Sequence, residues 1–275
     1  MSADPESARR RVDEVTFWFH SFDFGGGVTT QGHKSADTLA AELESLRLPA
    51  LEGKTVLDVG AWDGWFSFAA EARGAERVVA LDHYVWEFDL YPWTLDREGQ
   101  KAWLAEHGMD PEVAYQPEDL PGVYRPDELP GMQGFRTARD LLGSRVEPII
   151  ADLVTTDLDA LGTFDVVLYL GVLYHVKDPF LALRRLRAVT RELAIVETSI
   201  MALPGHEDAL LWRFMEGPEL DRDPTNWWQP NAAALEGMLH AAGFSSVERV
   251  VGPPPADRIG GPEPQQFRAV MHARP

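Results

Sequence analysis

The 275-residue sequence contains no cysteine. That excludes disulfides, thiolate metal centres and cysteine nucleophiles together. No apolar run approaches the length of a membrane span, so no membrane partner is expected. The opening stretch, MSADPESARRRVDE, lacks the apolar core of a secretory signal, and a cytoplasmic protein is the expectation. Basic residues are few: 25 Lys and Arg stand against 44 Asp and Glu, for a formal net charge of −19. A protein that grips phosphate backbones draws most of its affinity from basic surface, so nucleic acid is not an expected partner. Two basic stripes, Arg9 to Arg11 and the set Arg184, Arg185, Arg187 and Arg191, read as solvated helix faces. No cluster with metal-ligand spacing stands out. Asp178 before Pro179 is accounted for as a helix N-cap, and no metal is expected.

What is present is an alternation. Residues 1–53 read as a helical flap broken by a loop, where TFWFHSFDF sets aromatics and His20 directly before three glycines. From residue 54 to 275 buried-strand runs (TVLDVG, RVVALD, RVEPIIADL, FDVVLYLG, ELAIVETS) alternate with helical ones (GWFSFAAEARG, DPFLALRRLRAVT, NAAALEGMLHAAG). SSVERVVG and QFRAVMHA read as two late strands. The pattern predicts an α/β, doubly wound, Rossmann-like sheet, mostly parallel, with helices on both faces. Ligands bind such sheets beyond the carboxyl ends of the strands, where Gly60, Asp82, Asp152 and the residues after Leu170 converge. The stretch between the second and third strands is far longer than the roughly dozen residues a crossover needs. Residues 85–140 or so therefore read as an inserted cap, and its Trp86 and Trp93 as candidates for a substrate pocket.

The cofactor is argued from VLDVGAWDGWFS, residues 56–67. A tight strand-to-helix turn needs glycine where backbone approaches a ligand. Asp82, at the end of the second strand, is placed to accept from ribose hydroxyls, and Asp58 and His83 belong to the same edge. A dinucleotide site seats pyrophosphate on the turn and needs three close glycines. Here Trp62 stands between Gly60 and Gly64. The bulk suits a nucleoside carrying an amino-acid tail better than a pyrophosphate, which points to S-adenosylmethionine and leaves a nicotinamide oxidoreductase as the weaker reading.

The run FDVVLYLGVLYHVKDP carries a resemblance. With the opening turn, the segment NWWQPNAAALEGMLHAAGF and the closing RAV, it is similar to class I S-adenosylmethionine-dependent methyltransferases, and within them to the tRNA wobble-uridine (mo5U/cmo5U34) methyltransferase-like group. The resemblance implies that class's fold, with a C-terminal antiparallel strand. It also implies that Gly60 lies against the cofactor's amino-acid end, Asp152 and Leu153 flank the adenine, and Leu170 lies beside the methionine portion. Lys34 matches a lysine that reaches the cofactor, and Tyr174 and Arg268 match two of three groups that hold the extra carboxylate of carboxy-S-adenosylmethionine. The third, a lysine in the N-terminal segment, has no counterpart here. A carboxylate taken out of water needs charge-assisted partners, so ordinary S-adenosylmethionine is expected.

Methyl transfer from a sulfonium is an in-line displacement that mainly needs alignment. A hydroxyl acceptor also gains from a general base, most often histidine. His20, His175 and Tyr174 are the catalytic candidates, and Trp18, Trp86, Trp93, Trp227 and Trp228 the substrate-binding ones. The expected activity is O-methylation of a small, largely apolar or aromatic acceptor of secondary metabolism. A tRNA wobble-uridine enzyme and a non-catalytic S-adenosylmethionine-binding protein are the alternatives.

Overall fold

Seven strands form one twisted sheet in the computed structural model, which describes residues 4–261 and 263–275. They are Thr55–Val59 (β1), Arg77–Asp82 (β2), Glu147–Ile150 (β3), Phe164–Leu170 (β4), Thr190–Ala202 (β5), and, after a small hairpin of Trp212–Phe214 (β6) and Trp228–Pro230 (β7), Ser246–Val251 (β8) and Gln265–Arg274 (β9). Their order is β3-β2-β1-β4-β5-β9-β8. The five on the β3 side pair in parallel, and β9 is antiparallel to both of its neighbours. This is the doubly wound, Rossmann-like sheet with a C-terminal antiparallel strand. β1 and β4 are nearly continuous apolar runs because both of their faces are covered.

The helices are Pro5–Asp13 (α1), Ala36–Ser45 (α2), Trp65–Ala72 (α3), Tyr91–Thr94 (α4), Arg97–Glu106 (α5), Gln133–Leu142 (α6), Leu158–Leu161 (α7), Pro179–Val189 (α8) and Ala232–Ala241 (α9). Local chemistry sets their starts. Asp178 caps α8 by accepting from the Leu181 amide, with Pro179 at the first position, and Asn231 caps α9 through the Ala234 amide. One core lies on the α1, α2, α3 and α6 face of the sheet, the other on the α8 and α9 face. No helix among the described residues is long and apolar enough to cross a membrane.

The segment between β2 and β3, read as an inserted cap, is in large part built into the core. Its last part, α6, is the crossover helix, with Phe135 and Ala138 fully buried. Its first part is rooted in the same core by Trp86, which is also fully buried. Gly131 packs so tightly that a Cβ would collide with the Val85 carbonyl. Only α4, α5 and the loop beyond sit outside, around a small cluster of Phe88, Leu90 and Val123.

Candidate functional site

The carboxyl ends of β1, β2 and β4 meet at the motif turn. In that turn Gly60, Trp62 and Gly64 all have positive φ, of 75°, 51° and 84°. The middle position has the left-handed backbone that glycine adopts freely, at a cost to tryptophan of about 1–2 kcal/mol. Two contacts offset that cost. The Trp62 amide donates to Asp82 Oδ2 at 2.9 Å, and its indole stacks on Phe19 with centroids 3.9 Å apart and planes 6° from parallel. His33 also stacks on Phe19, at 5.7 Å. The N-terminal segment thus packs against the turn through Phe19. Gly60 has a further requirement the sequence did not show: a Cβ there would collide with Val172 in the turn after β4.

Asp63, which sequence reasoning passed over, anchors the flap. Its Oδ2 accepts from the amides of Phe19 and His20 at 2.9 and 3.0 Å, and its Oδ1 pairs with His20 Nδ1. Both side chains are buried. His20 is therefore placed as a clamp between flap and turn. Asp58 and Asp82 are buried too, and burial pushes each carboxyl up to about 6. The Ser67 hydroxyl, donating to Asp58 Oδ2 at 2.6 Å, and the backbone amides around Asp82 partly counter the effect.

The turn after β4 supplies the other wall. Gly171 has φ 73°, and a Cβ there would lie 3.2 Å from the Tyr174 hydroxyl and 3.7 Å from Arg268 Nη2. Arg268 donates through Nε and Nη2 to both carboxylate oxygens of Glu197, and through Nη1 to the Tyr174 hydroxyl at 3.4 Å. Its guanidinium lies 5.2 Å from the Tyr174 ring. Burial works against its charge, but Tyr174 and Glu197 outweigh it and raise the guanidinium's pKa. Burial likewise raises the Tyr174 hydroxyl, so it stays protonated.

His175 follows. Its Nδ1 lies 2.8 Å from Thr225 Oγ1, which itself donates to Asp223 Oδ1 at 2.7 Å. A hydroxyl has one proton, and the carboxylate takes it, so His175 Nδ1 must be the donor and Nε2 the unprotonated nitrogen. Burial lowers the imidazole's pKa, opposed chiefly by Asp223. The hairpin segment brings this chain in: the Trp227 amide donates to the Tyr174 carbonyl at 2.7 Å, and Trp228 Nε1 to the Lys177 carbonyl at 3.1 Å.

The expected site residues divide accordingly. Asp58, Gly60, Asp82, His83, Asp152, Leu170, Tyr174, His175, Arg268, Trp227 and Trp228 lie on or beside these strand-end turns. Trp18 and Trp86 correct the expectation. Both are buried in the core, with Nε1 donating to the carbonyls of Val12 and Trp62 respectively. Trp93 is half-exposed on α4. The Leu153 side chain is buried in the α8-side core, and its carbonyl accepts from Arg185 Nε at 2.5 Å. Lys34 lies at the start of the segment leading into α2. Its ammonium pairs with Glu42 at 2.8 Å and sits over the Phe19 ring. Glu197 was missed despite a signal, an acid directly following the apolar run LAIV, whereas Thr225 and Asp223 reach the site only through long-range contacts. Among the described residues no group of three or more metal-ligating side chains is assembled. A cavity of about 290 Å³ opens elsewhere, beside Asp89, Arg125 and Arg136.

Residues 32–249 match the sequence model of a family described as a methyltransferase domain. The chain is 25% identical over 200 residues to the tRNA U34 carboxymethyltransferase of Shewanella loihica, covering 73% of this chain and 46% of that protein. It is 31% identical over 202 residues to the Enterobacter sp. protein of the same name, covering 73% and 47%. The chain thus spans about half the length of the curated relatives it matches. Among solved structures, the N-terminal domain of EvdMO1, crystallised in the presence of SAH and D-fucose, superposes with a TM-score of 0.62 at 21% identity, over 98% of this chain and 97% of that one. At that identity the likeness shows the fold.

Proposed function

The chain belongs to the methyltransferase domain family, as a class I S-adenosylmethionine-dependent enzyme, and from that premise we propose that it methylates a hydroxyl oxygen on a small, largely apolar or aromatic acceptor of secondary metabolism. When bound, S-adenosylmethionine supplies an electrophilic methyl group. The residues present fit it: the positive-φ turn from Gly60 to Gly64 brings bare backbone to the strand ends, and Asp82 stands beside it at the end of β2, accepting from the Trp62 amide through Oδ2 with the amides of His83 and Val85 also turned to it. In this reading Asp82 accepts from a ribose hydroxyl, Asp152 from the adenine amine, and Gly60 and Leu170 border the amino-acid portion. Asp58 supports the turn from beneath, and His83 borders the adenine.

The observation that carries the hydroxyl acceptor is the chain His175–Thr225–Asp223 beside Tyr174 and Trp227. It fixes one tautomer and leaves Nε2 as a base. His175 Nε2 takes the acceptor hydroxyl's proton as the methyl group leaves the sulfonium sulfur for the acceptor oxygen and SAH is released, while the Nδ1 proton stays on the imidazole, donated to Thr225 Oγ1. Tyr174, held protonated, orients the acceptor, and Trp227 and Trp228 offer it apolar surface. The net charge of −19 argues against a phosphate backbone as acceptor, and a protein of this fold has been crystallised with a sugar.

The test is SAH release from purified protein supplied with S-adenosylmethionine and a panel of phenols, hydroxylated polycycles and sugars, with unmodified tRNA as a further arm. Turnover is expected with a member of the panel and not with tRNA. The variant His175→Ala should lose about 10²- to 10⁴-fold in turnover while donor affinity holds. Turnover with tRNA alone would restore the wobble-uridine reading. Donor binding without turnover on any acceptor would make the chain a non-catalytic binding protein.

A further inference from the structure

The loop beyond α5 reaches the strand-end turns at one corner. Gln116 Nε2 donates to the Pro224 carbonyl at 2.5 Å, which ties that loop to the arm carrying Asp223 and Thr225. Two residues on, Glu118 meets Tyr84, which stands just beyond the end of β2. The Tyr84 ring sits edge-on to Phe88, with centroids 4.8 Å apart, and packs with Trp62 against the Phe88, Leu90 and Val123 cluster. Its hydroxyl donates to Glu118 Oε2 at 3.4 Å. Burial first, then the charges of Glu118 and Asp223, raises the Tyr84 pKa, so the phenol keeps its proton. Asp223 acts on His175 as well, which gathers the phenol and the imidazole around one carboxylate.

A carboxylate can only accept, and a hydroxyl has one proton. With that proton directed at Glu118, the Tyr84 oxygen offers lone pairs to whatever enters beside it, and so calls for a donor group on the ligand. Four buried side-chain polar atoms lack a partner among the described residues, and two belong to the same walls: Trp62 Nε1 on the turn after β1, and Asn226 Oδ1 next to Thr225. Native proteins leave few such groups unmet, so an acceptor with more than one polar group suits these walls better than a plain hydrocarbon ring. We propose that Tyr84 is the acceptor-selecting residue: its oxygen accepts from a second hydroxyl on the ring whose first hydroxyl gives its proton to His175, so the acceptor class is a dihydroxylated aromatic ring. The inference rests on the proposed transfer to a hydroxyl and deepens it.

Calorimetry on protein saturated with SAH tests it without turnover, using catechol, resorcinol and hydroquinone, each against its methoxyphenol. The wild type is expected to bind at least one diol about tenfold or more tighter than its ether, the scale of one hydrogen bond. Tyr84→Phe should bring that ratio within about threefold and leave SAH affinity within about threefold, a split that a merely structural role would not produce. Glu118→Gln, at an exposed position, frees the phenol's proton to serve an ether oxygen and should lower the ratio too. A poorly folding Y84F protein therefore leaves the test intact. Equal binding of every pair by the wild type, binding of no diol, or an unmoved ratio in either folded variant would overturn the assignment. A wild type that selects a diol but does not methylate it leaves the selection standing and removes the hydroxyl-transfer reading instead.

Discussion

Asp58 and Asp82 carry the pH behaviour at the scale of single residues. Burial raises both to about 6, so the folded protein holds their protons over a range where the unfolded chain, near 3.8, has released them. A carboxyl raised in this direction contributes stability that is fully present below about pH 4 and is lost as the pH climbs through 6. Asp58 is the cleaner test because Asp82 is proposed to touch the cofactor. In Asp58→Asn the Ser67 hydroxyl keeps an oxygen to donate to, and no charge is buried. The variant should match the wild type near pH 3 and exceed it at pH 7.5 by about 2–3 kcal/mol, the equivalent of two pKa units. Urea denaturation at the two pH values reads this out. Parallel curves, with the variant weaker at both, would mean that the ionised carboxylate is needed by its surroundings, His20 first among them.

Elements come next, and the segment between β2 and β3 shows how an insertion becomes part of a core. Trp86 fills the α6-side core and donates its indole N–H to the Trp62 carbonyl, joining the insertion to the turn between β1 and α3. Trp86→Ala should therefore destabilise by about 3–5 kcal/mol and weaken donor binding as well. Replacing residues 85–134 with a short linker should leave no cooperatively folding protein, since Met132 and the start of α6 go with it. Thermal unfolding followed by circular dichroism checks both. A linker variant that melts cooperatively and still binds S-adenosylmethionine would show that the segment is a removable cap after all.

Across the whole molecule the excess of acidic groups sets the long-range field. A formal charge of −19 repels polyanions over about 10 Å at 0.1 M salt. Binding of bulk tRNA is expected to be undetectable at physiological salt, and to lack the steep decline with added salt that counterion release produces. Filter binding across a salt series measures both. Tight, salt-sensitive binding would mean that a local basic patch overrides the global charge.

The sheet was legible in the sequence because buried parallel strands are apolar runs, and these runs need no distant partner to be recognised. The caps at Asp178 and Asn231, the turn at Gly60 and the acid at Asp82 are equally local. Composition alone excluded thiol chemistry, and spacing alone distinguished Gly60–Trp62–Gly64 from a pyrophosphate turn. Tertiary structure decided everything that depends on two segments meeting. Nothing local says that Trp18 and Trp86 are core rather than pocket, since an aromatic beside glycines reads the same in either place. Nothing local ties His20 to Asp63, or sets Thr225 between His175 and Asp223. The Arg268–Glu197 pair is the sharpest case. An arginine's charge is fixed by its chemistry, but which carboxylate stands beside it is set by the antiparallel register of β5 and β9.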